Sequence, residues 1–256
     1  MKSWEGTGAA YAASYASLCA GTIETLGLAL GPSAGRSLLD VGAGTGDLVG
    51  GFSARGWRAT GCEPEATMRG IARRAHPSQT FVSGSLSRLP FDSGSFDIVT
   101  ANFVLNHVDD PRASARELAR VAVSGGGIAA TVWVSSPSWF WREVSARASV
   151  ESPPSAQLPA DLDFERSSPG FAAMLDEAGW QDVVATDLSW TWRVPSSALW
   201  ASARGGVAAG GAMYRALDED GRRRFRSAFA AVSAEHEVDG LLALAHTAAV
   251  AVGRAP

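Results

Sequence analysis

The sequence is poor in cysteine and lysine, and it has no long apolar run. Its 256 residues include two cysteines, Cys19 and Cys62, and one lysine, Lys2. Two isolated cysteines, one in a helical pattern and one in a strand pattern, indicate reduced core residues rather than a disulfide or a metal pair. No apolar stretch is long enough to span a bilayer, and residues 1–6 lack the pattern of a signal peptide. We therefore expect a cytoplasmic protein with no membrane partner.

Charge is also scarce, and neither sign dominates. Lys and Arg number 22 against 26 Asp and Glu, a formal net charge of −4, and charged residues make up 19% of the chain. Binding to a phosphate backbone needs a basic surface, so nucleic acid is not an expected partner. The length and the 46% hydrophobic content predict a single α/β domain with an added cap, occupying residues 1–256.

A glycine-rich turn follows a short apolar segment and precedes a helical pattern. Residues 37–41 predict a buried strand, the glycines stand at 42, 44 and 46, and the helical pattern opens near Asp47. Glycine permits positive φ and close ligand approach, while a helix N-terminus presents free N–H groups. The pattern predicts a cofactor site, although a turn needed only for packing is the plainer alternative. Asp40 and the G-x-G-x-G spacing disfavour a dinucleotide and favour a ligand that is cationic at this point.

The order D-V-G-A-G-T-G at 40–46, with S-F-D-I-V at 95–99 and V-L-N-H-V at 104–108, resembles the motifs of class I SAM-dependent methyltransferases, of the type 11-like kind. The resemblance is dense over residues 37–134. It implies an α/β fold: a Rossmann-like three-layer sandwich with a seven-stranded, mostly parallel sheet, an antiparallel last strand and a helical lid and cap. It also implies S-adenosyl-L-methionine (SAM) as cofactor and S-adenosyl-L-homocysteine (SAH) as product.

The resemblance assigns cofactor contacts to positions along the first four strands. Glu63 ends the second strand pattern, where a carboxylate can accept both ribose hydroxyls. Ser85 stands where the family often has an acidic residue that binds the adenine amino group, so we expect a weaker contact from it. The full set of implied cofactor residues is Asp40, Gly42, Ala43, Gly44, Thr45, Gly46, Glu63, Pro64, Met68, Ser85, Leu86, Asn102, Phe103 and His107.

His107 is the candidate general base, because its ordinary pKa suits removal of a proton from a phenol or an acidic carbon. The alternative is a structural histidine that bonds a neighbouring loop. His236 is a weaker candidate, and His76 and His246 are weaker still. Some relatives carry two glutamates and a histidine as metal ligands here, whereas this chain has Phe103, Asn106 and His107, so we expect no metal.

The remaining segments predict a lid and a cap. Residues 1–32 are interpreted as an N-terminal helical lid, 33–134 as the SAM-binding core, and 135–170 and 195–235 as substrate-cap insertions. Aromatic residues in these segments serve either to bind substrate or to pack the lid and cap on the domain. Residues 8–30 read as one helix. The candidate substrate-pocket residues are Tyr11, Tyr15, Asn106, Trp139 and Trp141.

These features predict methyl transfer from SAM to a small, apolar or aromatic acceptor, with oxygen favoured over carbon or nitrogen, in natural-product biosynthesis. Alignment and desolvation of an already activated methyl group can supply most of the rate. Two alternatives stay open: a SAM-binding domain that catalyses another reaction or none, and a methyltransferase acting on RNA or protein. We expect a monomer or a homodimer.

Overall fold

One seven-stranded sheet runs through the protein. The computed structural model describes residues 4–86, 88–135, 139–151, 153 and 158–256, so parts of the predicted cap segment 135–170 lie outside these ranges. The strands are β1 (Ser37–Val41), β2 (Arg58–Cys62), β3 (Thr80–Val82), β4 (Phe96–Asn102), β5 (Ala122–Ser135), β6 (Gln181–Val194) and β7 (Leu242–Arg254). The helices are α1 (Gly8–Ala12), α2 (Tyr15–Cys19), α3 (Ile23–Leu30), α4 (Asp47–Ser53), α5 (Ala66–Ala75), α6 (Pro111–Val121), α7 (Trp139–Ala148), α8 (Ser168–Glu177), α9 (Ser196–Arg204), α10 (Ala208–Ala216) and α11 (Glu219–His236).

The strand order is β3-β2-β1-β4-β5-β7-β6. The pairs among β1 to β5 are parallel, whereas β7 pairs antiparallel with both β5 and β6. Buried side chains of α6 and α8 pack on one face of the sheet, and those of α3, α4 and α5 pack on the other. The predicted Rossmann-like three-layer sandwich with an antiparallel last strand is therefore confirmed.

The N-terminal segment is broken where the sequence predicts one helix over residues 8–30. It forms α1, α2, a 3-10 turn at Ala20–Thr22 and then α3. The hydroxyl of Ser14 donates to the Ala10 carbonyl at 2.6 Å, and that of Thr22 donates to the Cys19 carbonyl at 3.0 Å. Such side-chain bonds offer the backbone an alternative to the helical ladder. Apolar periodicity alone does not reveal these breaks.

β5 is longer than the strand that the sequence pattern predicts at residues 128–134, whereas β6 matches its predicted bounds of 181–194. β5 begins at Ala122, ahead of the predicted start at Ile128, and its register with β4 shifts between Phe96 and Ile98. A bulge of this kind admits extra residues into a strand. β6 and β7 pair from Gln181↔Arg254 to Val194↔Leu242, beyond the end of β5. Helices α7, α9, α10 and α11 form an aromatic-rich cluster on this extension, here called the cap.

Among the described residues, no helix is both long enough and apolar enough to cross a membrane.

Gly46 offers a test of the fold around the glycine turn. It caps α4 with φ +88°, and an added Cβ would lie 2.8 Å from Phe81 Cζ and 2.9 Å from His76 Cδ2. Gly46→Ala should lower the free energy of unfolding by about 2–4 kcal/mol, since backbone strain and crowding add. Urea unfolding measures the loss. Gly125→Ala is the matched control, because Gly125 also has positive φ, at +71°, but nothing lies within 4 Å of its Cβ position. That variant should lose only about 1 kcal/mol, and equal losses would contradict the crowding argument.

Candidate cofactor and acceptor site

The glycine turn lies at the carboxyl edge of the parallel strands, between β1 and α4. Gly42, Gly44 and Gly46 all have positive φ, at +71°, +54° and +88°. The N–H groups of Gly42 and Ala43 donate to the Cys62 carbonyl at 2.8 and 3.1 Å, which ties the turn to the end of β2. An added Cβ on Gly42 would lie 2.5 Å from Val104 Cγ2. The turn is thus fixed by contacts that only glycine permits.

Asp40 is a buried carboxyl group directly before this turn. It is 2% exposed, and the Thr100 hydroxyl donates to its Oδ1 at 2.8 Å. Burial raises the pKa of Asp40 to about 7; the Thr100 hydrogen bond lowers this pKa, and the nearby charge of Glu63 raises it further. Thr100 is a site residue that the sequence interpretation missed. The pairing register of the two strands would have indicated Thr100, because Asp40 and Thr100 are direct partners on β1 and β4.

Glu63 ties the glycine turn to the segment that follows β2. Its Oε2 accepts from Gly44 N–H at 2.8 Å and its Oε1 accepts from Glu65 N–H at 2.8 Å. The side chain is 5% exposed, and burial raises its pKa in spite of those two bonds. A carboxylate oxygen has room for a second donor. Glu63 can therefore accept ribose hydroxyls while holding the loop.

Two buried carboxyl groups at this edge define the ligand chemistry of the site. Like charges at short range disfavour ionisation of both, and pyrophosphate would add further negative charge. A ligand with an ammonium or a sulfonium group would instead stabilise both ionised carboxylates. The geometry defines a site for a nucleoside cofactor that is cationic rather than phosphorylated.

Other predicted cofactor residues surround the same edge. Met68 and Leu86 are buried, Ser85 is half-buried and Pro64 is exposed. The sequence predicts that Pro64 starts the second helix, but α5 begins two residues later, at Ala66, and Glu65 is its N-cap, accepting from Met68 N–H at 2.7 Å. Thr45, within the turn, donates its hydroxyl to Asp47.

Part of the N-terminal segment lies across the glycine turn. A Cβ on Gly44 would lie 3.4 Å from Tyr11 Cε1. Trp4 packs edge to face against Tyr11 and His107, with ring centroids 6.1 and 5.3 Å apart. Gly8 N–H donates to the Thr67 hydroxyl at 3.2 Å, on α5. The segment therefore contacts both sides of the candidate cofactor site.

Asn102 joins the N-terminal segment to β4 and β5. Its Oδ1 accepts from the Thr22 hydroxyl at 2.9 Å and from the Thr131 hydroxyl at 2.7 Å, and its Nδ2 donates to the Cys19 carbonyl at 3.1 Å. Phe103 N–H donates to Thr131 Oγ1 at 2.8 Å. Both lone pairs of the amide oxygen and one of the two amide N–H groups are thus used within the protein. The predicted contact of Asn102 with the cofactor, through its backbone carbonyl, stays a prediction.

Phe103 holds a left-handed backbone conformation, with φ +57°. Its ring stacks on Trp133 at 3.8 Å between centroids and 8° between planes, and Trp190 lies 6.5 Å away. A bulky residue at positive φ is strained and persists only where its surroundings hold it. Trp133 was not predicted as a site residue, since its contact with Phe103 depends on the pairing of β4 with β5.

The candidate substrate residues contact both the sheet and the cap. Tyr15 lies 5.4 Å from Trp192 and its hydroxyl accepts from Trp141 Nε1 at 3.4 Å, while Asn106 Oδ1 accepts from Trp133 N–H at 3.3 Å. Trp141, 2% exposed, packs within the cap. Trp139 lies 4.6 Å from His236. The surroundings of Trp141 match the alternative in which the cap aromatics pack against one another. A role for Trp141 in substrate binding stays a prediction.

Among the described residues, one group of three possible metal ligands occurs: Glu143, Glu235 and His236 on the cap surface. Arg147 pairs with both glutamates there. These residues are remote in the fold from the glycine turn, and the two carboxylates already have a cationic partner.

The chain is similar to known methyltransferases in sequence and in fold. Residues 39–130 match the family model described as a methyltransferase domain. Demethylmenaquinone methyltransferase of Beutenbergia cavernae is 33% identical over 168 residues, which are 60% of this chain and 70% of that protein. The YcgJ protein of Bacillus subtilis superposes with a TM-score of 0.58 at 19% identity, covering 94% of this chain and 98% of that one. Phosphoethanolamine N-methyltransferase 2 of Haemonchus contortus, solved with SAM, gives a TM-score of 0.53 at 16% identity, covering 94% and 52%.

The fold and the site thus define a methyltransferase. The chain belongs to the class I SAM-dependent methyltransferases, and its cofactor is SAM. The sequence predictions of family, enzyme class and cofactor are confirmed.

The separate roles of Asp40 and Glu63 can be distinguished by comparing the binding of two ligands. Asp40→Asn keeps a partner for Thr100 but removes the charge, so SAH affinity should fall about tenfold to hundredfold, or 1.4–2.8 kcal/mol. 5′-Methylthioadenosine lacks the amino-acid part of SAH, so its affinity should hardly change. Glu63→Gln should weaken both ligands to a similar degree, because both carry the ribose. Isothermal titration measures the four affinities. Equal loss of both ligands in Asp40→Asn would contradict an ionic role for Asp40.

Asp40 should also set a pH dependence. Its raised pKa means that the ligand-free carboxyl is protonated below about pH 7, whereas a cationic ligand favours the ionised form. SAH affinity should therefore rise by up to about tenfold per pH unit between pH 5.5 and 7, and the rise should vanish in Asp40→Asn. In the ligand-free protein the sign is opposite: the contribution of Asp40 to stability is full below its ordinary pKa and is lost as pH rises through 7. Thermal unfolding at pH 5 and pH 8 should show Asp40→Asn gaining relative to wild type at pH 8.

Proposed function

We propose that this methyltransferase acts on a hydroxyl oxygen of a small, apolar, aromatic acceptor. The observation that carries the proposal is a row of aromatic rings next to the cofactor site. Phe103 stacks on Trp133, Trp190 lies 5.6 Å from Trp133, and His246 lies 5.5 Å from Trp133. Flat apolar walls of this kind suit an aromatic ligand.

Two further features support a small, apolar acceptor. Among the described residues, no Arg makes a cation–π contact with a ring of this row, and no Asp or Glu pairs with His246. The relative from Beutenbergia cavernae is named for a small molecule, demethylmenaquinone. A role in natural-product biosynthesis and a monomeric or homodimeric state remain predictions.

Bound SAM supplies a methyl group already activated by its sulfonium. The residues of this chain then orient and enclose the reactants. Asp40 holds positive charge, Glu63 holds the ribose, and the stacked Phe103 and Trp133 fix the wall on which the acceptor lies. Trp4 and Tyr11 close the site over the glycine turn and exclude water. Alignment and desolvation of this sort account for large rate factors in group transfer.

The acceptor atom can be identified with methyl-labelled SAM. The protein is incubated with 2-naphthol, 2-naphthylamine and 2-methylnaphthalene, which share one ring system but offer oxygen, nitrogen or neither. We expect labelled 2-methoxynaphthalene, identified by mass spectrometry and NMR, and no product from 2-methylnaphthalene. Methyl transfer to nitrogen or to a ring carbon would contradict the choice of oxygen. Bound SAM with no labelled product from any hydroxyarene would contradict the function and favour a different reaction.

His107 is the proposed general base, packed against Trp4 beside the site. A base that removes the hydroxyl proton makes turnover rise with pH up to the imidazole pKa. His107→Ala should lower kcat by about a hundredfold and remove that rise, with SAH affinity within threefold of wild type. Turnover measured from pH 5.5 to 9 tests this. An unchanged profile would leave His107 with a structural role.

A further inference from the structure

Trp190 and His246 face the same space from neighbouring strands. They are direct partners in the register of β6 and β7, and their ring centroids lie 6.2 Å apart. Residues directly opposite in an antiparallel pair share one face of the sheet. On the next strand Trp133 pairs with Ala248, two residues along β7 from His246, so Trp133 shares that face as well. The three rings form one surface.

Both side chains carry a buried polar atom that has no hydrogen-bond partner. Trp190 Nε1 and His246 Nε2 are two of three such atoms found among the described residues, the third being Ser233 Oγ. Other indole N–H groups are bonded: Trp192 donates to Ser17 Oγ at 3.0 Å, and Trp180 donates to the Ala115 carbonyl at 2.9 Å. Buried polar groups nearly always have a partner, so two unpaired ones on facing residues require an explanation.

The environment of His246 keeps its imidazole neutral. The residue is 8% exposed, and Trp133, Trp190 and Trp192 surround it at 5.5 to 6.2 Å. Burial lowers the pKa of His246. A neutral imidazole nitrogen accepts a hydrogen bond in one tautomer and donates in the other, whereas an indole N–H only donates. Together the two atoms match a hydroxyl oxygen, which can accept a hydrogen bond from each of them.

This pair lies next to the cofactor site and beneath the N-terminal segment. Phe103 contacts both Trp133 and Trp190 and directly follows Asn102, which bonds to Thr22. Gly21, in the 3-10 turn, covers the indole: a Cβ there would lie 2.7 Å from Trp190 Nε1. A ligand can therefore reach the two unpaired atoms only when the turn at Ala20–Thr22 moves away from Trp190.

We propose that Trp190 and His246 are the specificity-determining pair of the acceptor pocket: the indole N–H of Trp190 and the Nε2–H tautomer of His246 both donate to the hydroxyl oxygen of the aromatic acceptor, which leaves the hydroxyl proton for His107. The acceptor ring lies against Trp133. This assignment rests on the proposed function and deepens it by naming the groups that recognise the hydroxyl. A site built to bond a hydroxyl rejects an analogue that lacks it, because its own polar groups then stay unpaired.

Equilibrium dialysis of the SAH-saturated protein tests the pair. The probes are 2-naphthol and 2-methylnaphthalene, which differ by a hydroxyl in place of a methyl group. Wild type should bind 2-naphthol at least about tenfold more tightly. Trp190→Phe and His246→Leu should each reduce that preference to about threefold or less, mainly by weakening 2-naphthol binding. Trp192→Phe is the matched control, because its indole N–H already bonds Ser17, and it should keep the wild-type preference.

The outcomes separate this assignment from the function on which it rests. An unchanged preference in Trp190→Phe and His246→Leu, with 2-naphthol still methylated, overturns the pair and leaves the function standing. Equal binding of the two probes by wild type also overturns the pair. Failure of wild type to bind or methylate 2-naphthol overturns both. SAH affinity reports correct folding of each variant, and Trp190→Leu and His246→Met replace any variant that does not bind SAH.

Discussion

The electrostatic repulsion between Asp40 and Glu63 is the constraint on which the site depends. Both carboxyl groups are buried at the edge of β1 and β2; burial raises the pKa of each, and the charge of Glu63 raises the pKa of Asp40 further. Hydrogen bonds from Thr100, Gly44 and Glu65 hold them in place but do not neutralise them. The ligand-free site is therefore electrostatically unfavourable, and a cationic nucleoside relieves it. Selectivity for SAM over a dinucleotide follows from this charge balance as much as from the shape of the glycine turn.

Asn102 joins the N-terminal segment to the sheet by side-chain hydrogen bonds. One amide bonds Thr22 and Cys19 in that segment and Thr131 on β5, while the next residue, Phe103, stacks on Trp133. Any movement of the turn at Ala20–Thr22 must break or rearrange these bonds. The turn that covers Trp190 is therefore held by the same side chain that bonds β5.

The parts of the site that could be predicted from sequence are those whose position follows from the order of neighbouring strands, turns and helices along the chain. The glycine turn after β1 and the acid at the end of β2 can be placed because parallel strands bring their carboxyl ends to one edge. Thr100 escaped prediction because its contact with Asp40 depends on the register of strands far apart in sequence. The break at Ser14 escaped because a side-chain bond to Ala10 overrides the helical pattern. The sequence around Trp141 does not distinguish a residue that lines a pocket from one that packs inside the cap, and the structure places Trp141 inside the cap.

The acceptor side is harder to predict for a related reason. Trp133, Trp190 and His246 come from three strands, and only the order β5-β7-β6 brings them together. From its neighbours in sequence, His246 was, together with His76, the weakest candidate among the histidines. Its importance emerges from two facts that only the folded chain contains: it faces Trp190 across β6 and β7, and both residues bury a polar atom without a partner. Two unpaired polar atoms on facing residues are uncommon in a stable apolar core, and the proposed recognition of a hydroxyl gives both of them a partner.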